Sequence, residues 1–139
     1  MIIRPFEPAD QGAVIALWQA CGLTRPWNDP QQDIARKLGE QPELFLVGAI
    51  GGQIVATVMA GFDGHRGWVN YLAVDPQQQK RGFGRALMRE VEHRLIASGC
   101  PKLNLQVRAG NDPVLAFYAR LGYRPDAVVS LGKRLIEDR

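Results

Sequence analysis

Three cationic side chains and two glycines lie close together in residues 79–85 of this 139-residue chain. The stretch follows an apolar strand pattern and a Pro-marked turn, and it leads directly into a helical pattern. The first N–H groups of a helix have no partner within the helix, and the helix dipole adds partial positive charge there. Because glycines let an anion approach the backbone, the segment is typical of a phosphate or pyrophosphate site. These residues are Lys80, Arg81, Gly82, Gly84 and Arg85.

Two well-known phosphate loops are excluded by the residues present. A Walker A loop needs Gly-Lys followed by Ser or Thr, which this segment lacks. A dinucleotide fingerprint needs a third glycine, where Leu87 stands, and an acidic residue about twenty positions later, where the next strand instead ends at Val107. What remains is the pattern Gln79-x-x-Gly82-x-Gly84.

This pattern resembles the acetyl-CoA loop of the GCN5-related N-acetyltransferase (GNAT) superfamily, in which Gln or Arg, two spacers, Gly, one spacer and Gly or Ala recur. Residues 106–123 resemble the C-terminal motif of the same superfamily, an Asn after a strand and then a helix carrying Phe-Tyr-x-x-Leu-Gly-Tyr. The resemblance covers essentially the whole chain, and residues 25–30 and 63–67 are similar to a small bacterial branch of it. It implies an enzyme that transfers an acetyl group from acetyl-CoA to a primary amine of a small molecule or a peptide.

The resemblance also implies where the coenzyme binds. The backbone of the strand before the loop is expected to pair with the pantetheine arm and to face the developing oxyanion. The loop is expected to hold the pyrophosphate, and Asn111 and Phe117 to lie beside the coenzyme. A capping or turn role for Asn111 stays open. The expected coenzyme-binding residues are Leu72, Ala73, Val74, Gln79, Lys80, Arg81, Gly82, Phe83, Gly84, Arg85, Asn111 and Phe117.

Tyr118 is the expected catalytic residue, because it matches the family tyrosine seven positions after Asn111. Its phenol would protonate the departing thiolate of the coenzyme. Helical spacing gives a competing interpretation, in which Leu115, Tyr118 and Leu121 form one buried stripe.

The general base and the acceptor site carry weaker signals. Relatives that acetylate ribosomal-protein N-termini have a Glu where this chain has Gln106, which is not a useful base. The loop with Trp27, Asn28 and Asp29 lies in a region that lines the acceptor pocket in the superfamily, although a buried Trp and an Asp29 helix cap explain it equally. The candidate bases are Asp63, His65, Asp29, or water relayed by Asn70 and Tyr71. The expected acceptor-binding residues are Trp27, Asn28, Asp29, Asp63, His65 and Asn70.

Strand and helix patterns alternate as an α+β protein requires, and they predict a single domain over residues 1–139. A mixed, mostly antiparallel central sheet flanked by about four helices follows from them and from the resemblance. The predicted strands cover residues 2–4, 43–49, 54–60, 68–74 and 102–107, with a final bent hairpin over 123–135. The predicted helices begin after residue 10, near residue 30, after the glycine loop and at residue 112.

Composition narrows the remaining possibilities. A net charge of +3 and a pI near 9.1 suit an anionic partner such as coenzyme A, whereas the cations form no stripe interleaved with aromatics, which argues against nucleic acid. No apolar run or leader indicates a membrane, so a cytoplasmic enzyme is expected. Cys21 and Cys100 are expected to be reduced, and no metal-site spacing is present.

Two alternative functions and one assembly state stay open. A coenzyme-binding sensor without turnover would also bind acetyl-CoA, whereas an interaction domain with a purely structural glycine loop would not. Residues 128–135 form a candidate strand for pairing between two copies, so a homodimer is possible.

Overall fold

The computed structural model describes residues 1–138. Its strands are β1 (Ile2–Pro5), β2 (Phe45–Ile50), β3 (Gln53–Phe62), β4 (Gly67–Val74) and β5 (Leu103–Leu105). Its helices are α1 (Gln11–Ala20), α2 (Pro30–Leu38), α3 (Phe83–Ala97) and α4 (Asp112–Arg120). Short 3-10 turns occupy Pro8–Asp10, Pro42–Leu44 and Pro76–Gln78.

The five strands form one sheet in sequential order, β1-β2-β3-β4-β5. The first four are antiparallel and β5 runs parallel to β4. Gly51 and Gly52 connect β2 to β3 with φ values of +56° and +80°, as a tight hairpin turn between twisted strands requires. The predicted α+β fold with a mostly antiparallel sheet is therefore confirmed.

Each face of the sheet is covered by a pair of helices and has its own apolar core. On one face, α3 places Leu87, Met88 and Val91 against alternate residues of β2, β3 and β4, and α4 adds Tyr118. On the other, α1 and α2 place Val14, Leu17, Trp18 and Ile34 against Phe45, Val47 and Ala73. Because side chains of a strand point to opposite faces in turn, consecutive residues of β4 serve the two cores.

The predicted final hairpin over 123–135 was wrong. Residues 124–138 contain neither strand nor helix, and β5 is limited to three residues instead of 102–107. The chain is attached to this edge by side chains, because the Asp126 carboxylate accepts hydrogen bonds from Lys102 Nζ at 3.0 Å and Asn104 Nδ2 at 2.8 Å. Val128, Val129 and Leu131 are 78–90% exposed, so this segment buries no apolar face that would favour a strand.

Candidate active site

The parallel pair at the sheet edge opens into a wedge. β4 and β5 pair only at Gly67 with Leu103, Trp68 with Asn104, and Val69 with Leu105. Beyond Val69, β4 keeps β3 on one side and has no described strand on the other. This half of β4 includes Leu72, Ala73 and Val74. An extended ligand arm can therefore lie along its open side as a further strand would.

A β-bulge distorts β4 inside the wedge. Thr57 of β3 lies opposite Ala73 and Met59 lies opposite Asn70, so Tyr71 and Leu72 together oppose one residue of β3. Tyr71 has φ +53°, a left-handed conformation that is uncommon for a residue other than glycine. Such a bulge turns backbone groups out of the regular ladder, which makes them available to a ligand.

Three side chains hold this bulge in place. The Trp18 ring stacks on the Tyr71 ring with centroids 3.8 Å apart, and Trp18 Nε1 donates to Thr57 Oγ1 at 2.9 Å. The Thr57 hydroxyl in turn donates to the Tyr71 carbonyl at 2.9 Å. The Tyr71 hydroxyl donates to an Asp33 carboxylate oxygen at 2.5 Å. Burial and this carboxylate raise the pKa of Tyr71, so its phenol stays protonated.

The glycine loop forms a cradle at the start of α3. Gly82 has φ +80° and precedes the first helical residue, and the first helical bond runs from the Ala86 N–H to the Gly82 carbonyl. The preceding N–H groups, from Gly82 to Arg85, therefore have no partner within the helix. Lys80 also adopts a left-handed conformation, with φ +66°. The cradle thus combines free backbone donors with exposed positive charge.

Two side chains of the loop are occupied locally. The Gln79 side-chain amide donates to the Val74 carbonyl at 3.3 Å, which ties the loop to the end of β4. The Arg81 guanidinium lies 4.9 Å from the centre of the Phe83 ring and donates to Gln78. These contacts shape the loop rather than extend it toward a ligand.

Phe117 joins the loop to the wedge. A Cβ added at Gly84 would lie 3.2 Å from Phe117 Cζ and 3.6 Å from Val74 Cγ2, so a larger residue here would push the Phe117 ring by a few tenths of an ångström. Asn111 is the N-cap residue of α4, but its side chain makes no capping hydrogen bond. Its exposed amide is therefore not explained by capping.

Tyr118 of α4 is buried in the core that α3 also lines, with 8% of its surface exposed. The edges of the Phe117 and Tyr123 rings pack against it at centroid distances of 5.0 Å and 5.6 Å. Burial raises the pKa of Tyr118 to about 12, and no hydrogen bond to another described residue contributes to that shift. Leu115 is 45% exposed, so the buried stripe proposed as an alternative does not form.

The loop between α1 and α2 lines a cavity of about 700 Å³. Trp27, 53% exposed, forms one wall together with Arg36, Gln106 and part of the C-terminal segment. Asp29 caps α2 by accepting a hydrogen bond from the Gln31 N–H at 2.9 Å, and Asn28 accepts one from Arg134. Asp29 is thus a helix cap, as one interpretation of this loop expected, whereas Trp27 is exposed, as the acceptor-site interpretation expected.

The structure does not bring Asp63 and His65 to the bulge. They lie in the β3–β4 turn, at the end of β4 where it is paired with β5. The Asp63 carboxylate accepts hydrogen bonds from the N–H groups of His65 and Arg66, which lower its pKa. Asn70 directly precedes the bulge and shares with Asp63 and Trp68 a second cavity of about 320 Å³.

Sequence patterns did not reveal Asp33 and Thr57. Asp33 reads as an ordinary acid in the first turn of a helix, and Thr57 as one of several β-branched strand residues. Their roles depend on partners 38 and 14 positions away, which no local pattern encodes.

The described part of the chain contains neither a candidate metal site nor a candidate membrane-spanning helix. No group of three or more His, Cys, Asp or Glu side chains within residues 1–138 is placed to hold a metal ion. None of the helices in that range has the length and apolar character needed to cross a bilayer.

The family model that this chain matches and the following three curated relatives are all acetyltransferases by name. The model of the acetyltransferase (GNAT) family matches residues 13–123. An acetyltransferase of Yersinia enterocolitica and one of Pectobacterium atrosepticum are each 52% identical over 139 residues, covering 100% of this chain and 99% of theirs. An uncharacterized N-acetyltransferase of Yersinia pestis is similar to the same extent.

Solved structures show the same similarity. Ard1 from Thermoplasma volcanium superposes with a TM-score of 0.80 at 27% identity, over 91% of this chain and 84% of that one. The ribosomal-protein-S18-alanine N-acetyltransferase from Escherichia coli gives 0.72 at 26% identity, over 87% and 76%.

Proposed function

Because this chain belongs to the GNAT family of acetyltransferases, we propose that it moves the acetyl group of acetyl-CoA to a primary amine of a small molecule or a peptide. The observation that carries the proposal is the continuity between the α3 cradle and the open side of β4. The cradle suits a pyrophosphate and the strand suits an extended amide-containing arm. Together they match the pyrophosphate and the pantetheine arm of coenzyme A.

Each part of the coenzyme has candidate partners in this chain. The N–H groups from Gly82 to Arg85 would hold the pyrophosphate, with Lys80 and Arg85 adding charge. The backbone of Leu72, Ala73 and Val74 would pair with the pantetheine arm, and Asn111 and Phe117 would contact it from α4. The positive charge of this loop is explained by the coenzyme, so no nucleic-acid partner is required.

The bulge supplies the donors for acyl transfer. When the amine attacks the thioester carbonyl, a C–N bond forms, negative charge develops on the carbonyl oxygen, and the C–S bond then breaks. A backbone N–H near Leu72 or Ala73, directed by the bulge, would donate to that oxygen. The donor is held in place by the Trp18–Thr57–Tyr71 contacts, so little reorganisation is needed during the reaction.

Tyr118 would assist the leaving group. A phenol with a pKa of about 12 is fully protonated at neutral pH and can donate to the developing thiolate. Full transfer to a thiolate with an ordinary pKa of about 8.5 is unfavourable, so stabilisation through the O–H hydrogen bond is the stronger contribution.

Removal of the ammonium proton is assigned to water beside the bulge. Among the candidate bases, Asp63 and His65 lie at the opposite end of β4 and Asp29 is used as a helix cap. Asn70 is exposed next to the bulge, and the oxygen of the neighbouring Tyr71 hydroxyl can accept a hydrogen bond from water. Water positioned by these two residues is therefore the proposed route.

The acceptor would enter from the face that carries α1 and α2. Trp27 offers an exposed ring at the cavity there, beside Asn28 and Asp29. The S18-alanine N-acetyltransferase likeness supports a peptide amine, whereas Gln106 in place of a Glu argues for a different way of handling the proton. Acceptors of both classes therefore belong in the test.

We also propose a cytoplasmic homodimer. Cys21 and Cys100 are free thiols, as a reducing compartment favours. Val128, Val129 and Leu131 are 78–90% exposed beside the short edge strand β5, and a second copy would cover them. Analytical ultracentrifugation of wild type and a Val129→Asp variant tests this, since a monomeric wild type would contradict it.

The function is tested by incubating the protein with acetyl-CoA and a panel of primary amines and peptides with free N-termini. Release of free coenzyme thiol, matched by an acetyl-sized mass increase on one amine, is the expected result. Coenzyme binding without turnover across the panel would instead favour a sensor, and absence of binding would contradict both.

A further inference from the structure

A buried carboxylate occupies a built site next to the acceptor cavity. Asp138, in the C-terminal strap (residues 132–138), has a side chain that is only 1% exposed. Its Oδ1 lies 2.7 Å from Arg36 Nη2, and its Oδ2 lies 3.4 Å from Arg36 Nη1 and 2.9 Å from the Asp29 amide nitrogen. Both carboxylate oxygens are thus bound, by a guanidinium fork and a backbone N–H.

We propose that Arg36 and the Asp29 amide form a carboxylate-binding site, filled in the free protein by Asp138 and taken by a carboxylate group of the acceptor when it binds. The assignment of the incoming carboxylate to the acceptor rests on the proposed acetyltransferase function. The existence of the site does not.

Residues outside the strap also hold the Arg36 guanidinium in place. Asp33 Oδ1 lies 3.3 Å from Arg36 Nη1, and the other oxygen of Asp33 accepts from the Tyr71 hydroxyl at 2.5 Å. These contacts orient the guanidinium while leaving Nη2 to Asp138. They also connect the site to the bulge, because Tyr71 is the bulged residue. A ligand held here therefore lies on the acceptor side of the reaction centre.

The strap is held mainly through this one carboxylate. Residues 132–137 are exposed and include neither helix nor strand, so little buried area holds them. The other side-chain contact described for the strap joins Arg134 to Asn28. Exchanging one carboxylate for another leaves the charge around Arg36 and Asp33 unchanged, whereas a neutral or cationic ligand would leave the fork without its anion.

The adjoining cavity has the matching charge. While the strap is docked, Arg36, Lys133 and Arg134 line it, and no Asp or Glu of the described chain does so. Of these three cations, only Arg36 lies outside the strap, so it is the charge that remains in place for an incoming carboxylate. Trp27 supplies an aromatic wall. Gln106 lines the other end of the cavity, and it directly follows β5, the strand that borders the wedge. An amine bearing a carboxylate several atoms away fits this arrangement, with its carboxylate at Arg36 and its amine toward the wedge.

The site is tested by NMR on ¹⁵N-labelled full-length protein, using N-acetylglycine as the carboxylate probe and N-acetylglycinamide as its neutral counterpart. In Asp138→Asn the strap loses its carboxylate, so we expect N-acetylglycine to bind at least about tenfold more tightly than to wild type, with shifts of the Asp29 amide and Arg36 Nε signals. Glu137→Gln is the matched control, since it makes the same chemical change at an exposed neighbour. It should behave as wild type.

Three results would overturn the proposal. They are equal affinity of wild type and Asp138→Asn for N-acetylglycine, equal binding of N-acetylglycinamide, and binding that survives in the double variant Asp138→Asn, Arg36→Ala. Arg36 is an exposed helix residue, so its replacement does not threaten the fold.

The link to catalysis has a separate readout. N-acetylglycine should inhibit the acetylation of the acceptor found in the amine panel, competitively with that amine, and N-acetylglycinamide should not. Lack of inhibition would refute the assignment to the acceptor. Failure of acetyl-CoA to bind would count against the proposed function alone, because the NMR measurement needs no coenzyme.

Discussion

Tyr118 combines burial with a hydroxyl that no described residue binds. Burial alone raises its pKa to about 12. The neutral phenol is thereby favoured over the phenolate, and the residue is suited to donate a hydrogen bond and unsuited to accept a proton. No fully buried side-chain polar atom of the described chain lacks a partner, so the Tyr118 hydroxyl reaches the surface at the edge of the core, where solvent or a ligand can accept its hydrogen bond.

Replacing Tyr118 by Phe should lower kcat by roughly 10²-fold, because the leaving thiolate loses its donor while the ring packing remains. The affinity for acetyl-CoA should change by less than about threefold, since the hydroxyl acts only as charge develops. Steady-state kinetics and calorimetry measure the two quantities. Unchanged kcat would remove Tyr118 from the mechanism.

The pH dependence of the wild-type enzyme gives a second test of this residue. A general acid loses its proton as pH rises through its pKa, and here that value is about 12. The profile of kcat should therefore show no alkaline decrease due to Tyr118 below about pH 11. A decrease near pH 9 that disappears in Tyr118→Phe would contradict the raised pKa.

At the scale of elements, the bulge in β4 depends on a buried hydroxyl. Thr57 accepts from Trp18 Nε1 and donates to the Tyr71 carbonyl, and it is fully buried. The isosteric Thr57→Val variant removes this hydroxyl and leaves Trp18 Nε1 and the Tyr71 carbonyl without their partner. It should lower the free energy of unfolding by about 1–3 kcal/mol because two polar groups are left without partners. Denaturant unfolding measures this.

Thr57→Ser is the matched control for that variant. It keeps the hydroxyl and loses only a methyl group, so its loss of stability should be the smaller of the two. If Ser and Val destabilise equally, packing rather than hydrogen bonding holds the bulge.

The regular elements were predictable and the irregular ones were not. The Gly51-Gly52 turn, the apolar stripe of α3 and the Asp29 cap of α2 all have local signatures, and the structure places them within a few residues of the prediction. The bulge at Tyr71 has none, because its conformation is fixed by Trp18 and Thr57 from other elements. The alternation in 123–135 predicted a hairpin, but the apolar residues of that segment stay exposed, and its contacts with Lys102 and Asn104 are made by the Asp126 side chain.

The candidate site divides in the same way. The Gln79–Arg85 loop has the recurrent spacing of a phosphate cradle, whereas the roles of Asn111 and Tyr118 are implied by the resemblance to the family and stay predictions. The acceptor side could not be read from spacing. The contacts of Arg36 with Asp33 and Asp138 join residues up to 105 positions apart, and only the fold brings them together. Asp63 and His65 have side chains suited to proton transfer, but they lie at the end of β4 away from the bulge.

For the whole molecule, one ion pair makes the free energy of unfolding depend on pH in the acid range. Arg4 of β1 contacts both Asp10 oxygens at 2.7 Å and 3.0 Å, and Asp10 also accepts from the Glu7 N–H. The hydrogen bond from Arg4 is the main cause that lowers the pKa of Asp10 in the folded protein. The resulting stabilisation is therefore fully present above the pKa of an unfolded Asp, about 3.9, and it is lost as the pH falls through the lower pKa of the folded state.

Asp10→Asn should therefore destabilise the protein by about 1–2 kcal/mol at pH 7, and the difference from wild type should shrink as pH falls below about 4. Urea unfolding at several pH values checks this. Asp126→Asn, which removes a more exposed pair with Lys102, should have a much smaller effect. A difference for Asp10→Asn that does not shrink as pH falls below about 4 would contradict the electrostatic origin.

The central claim is that the α3 cradle binds the coenzyme, and calorimetric titration of acetyl-CoA tests it most directly. Gly82 has φ +80° and open space where a Cβ would stand, so Asn and Asp fit there with similar strain and differ in charge, whereas a side chain at Gly84 would press on Phe117. Wild type and Gly82→Asn should bind with a Kd on the order of micromolar, and Gly82→Asp at least about tenfold more weakly. No binding to wild type, or equal affinity of the two variants, would contradict the account.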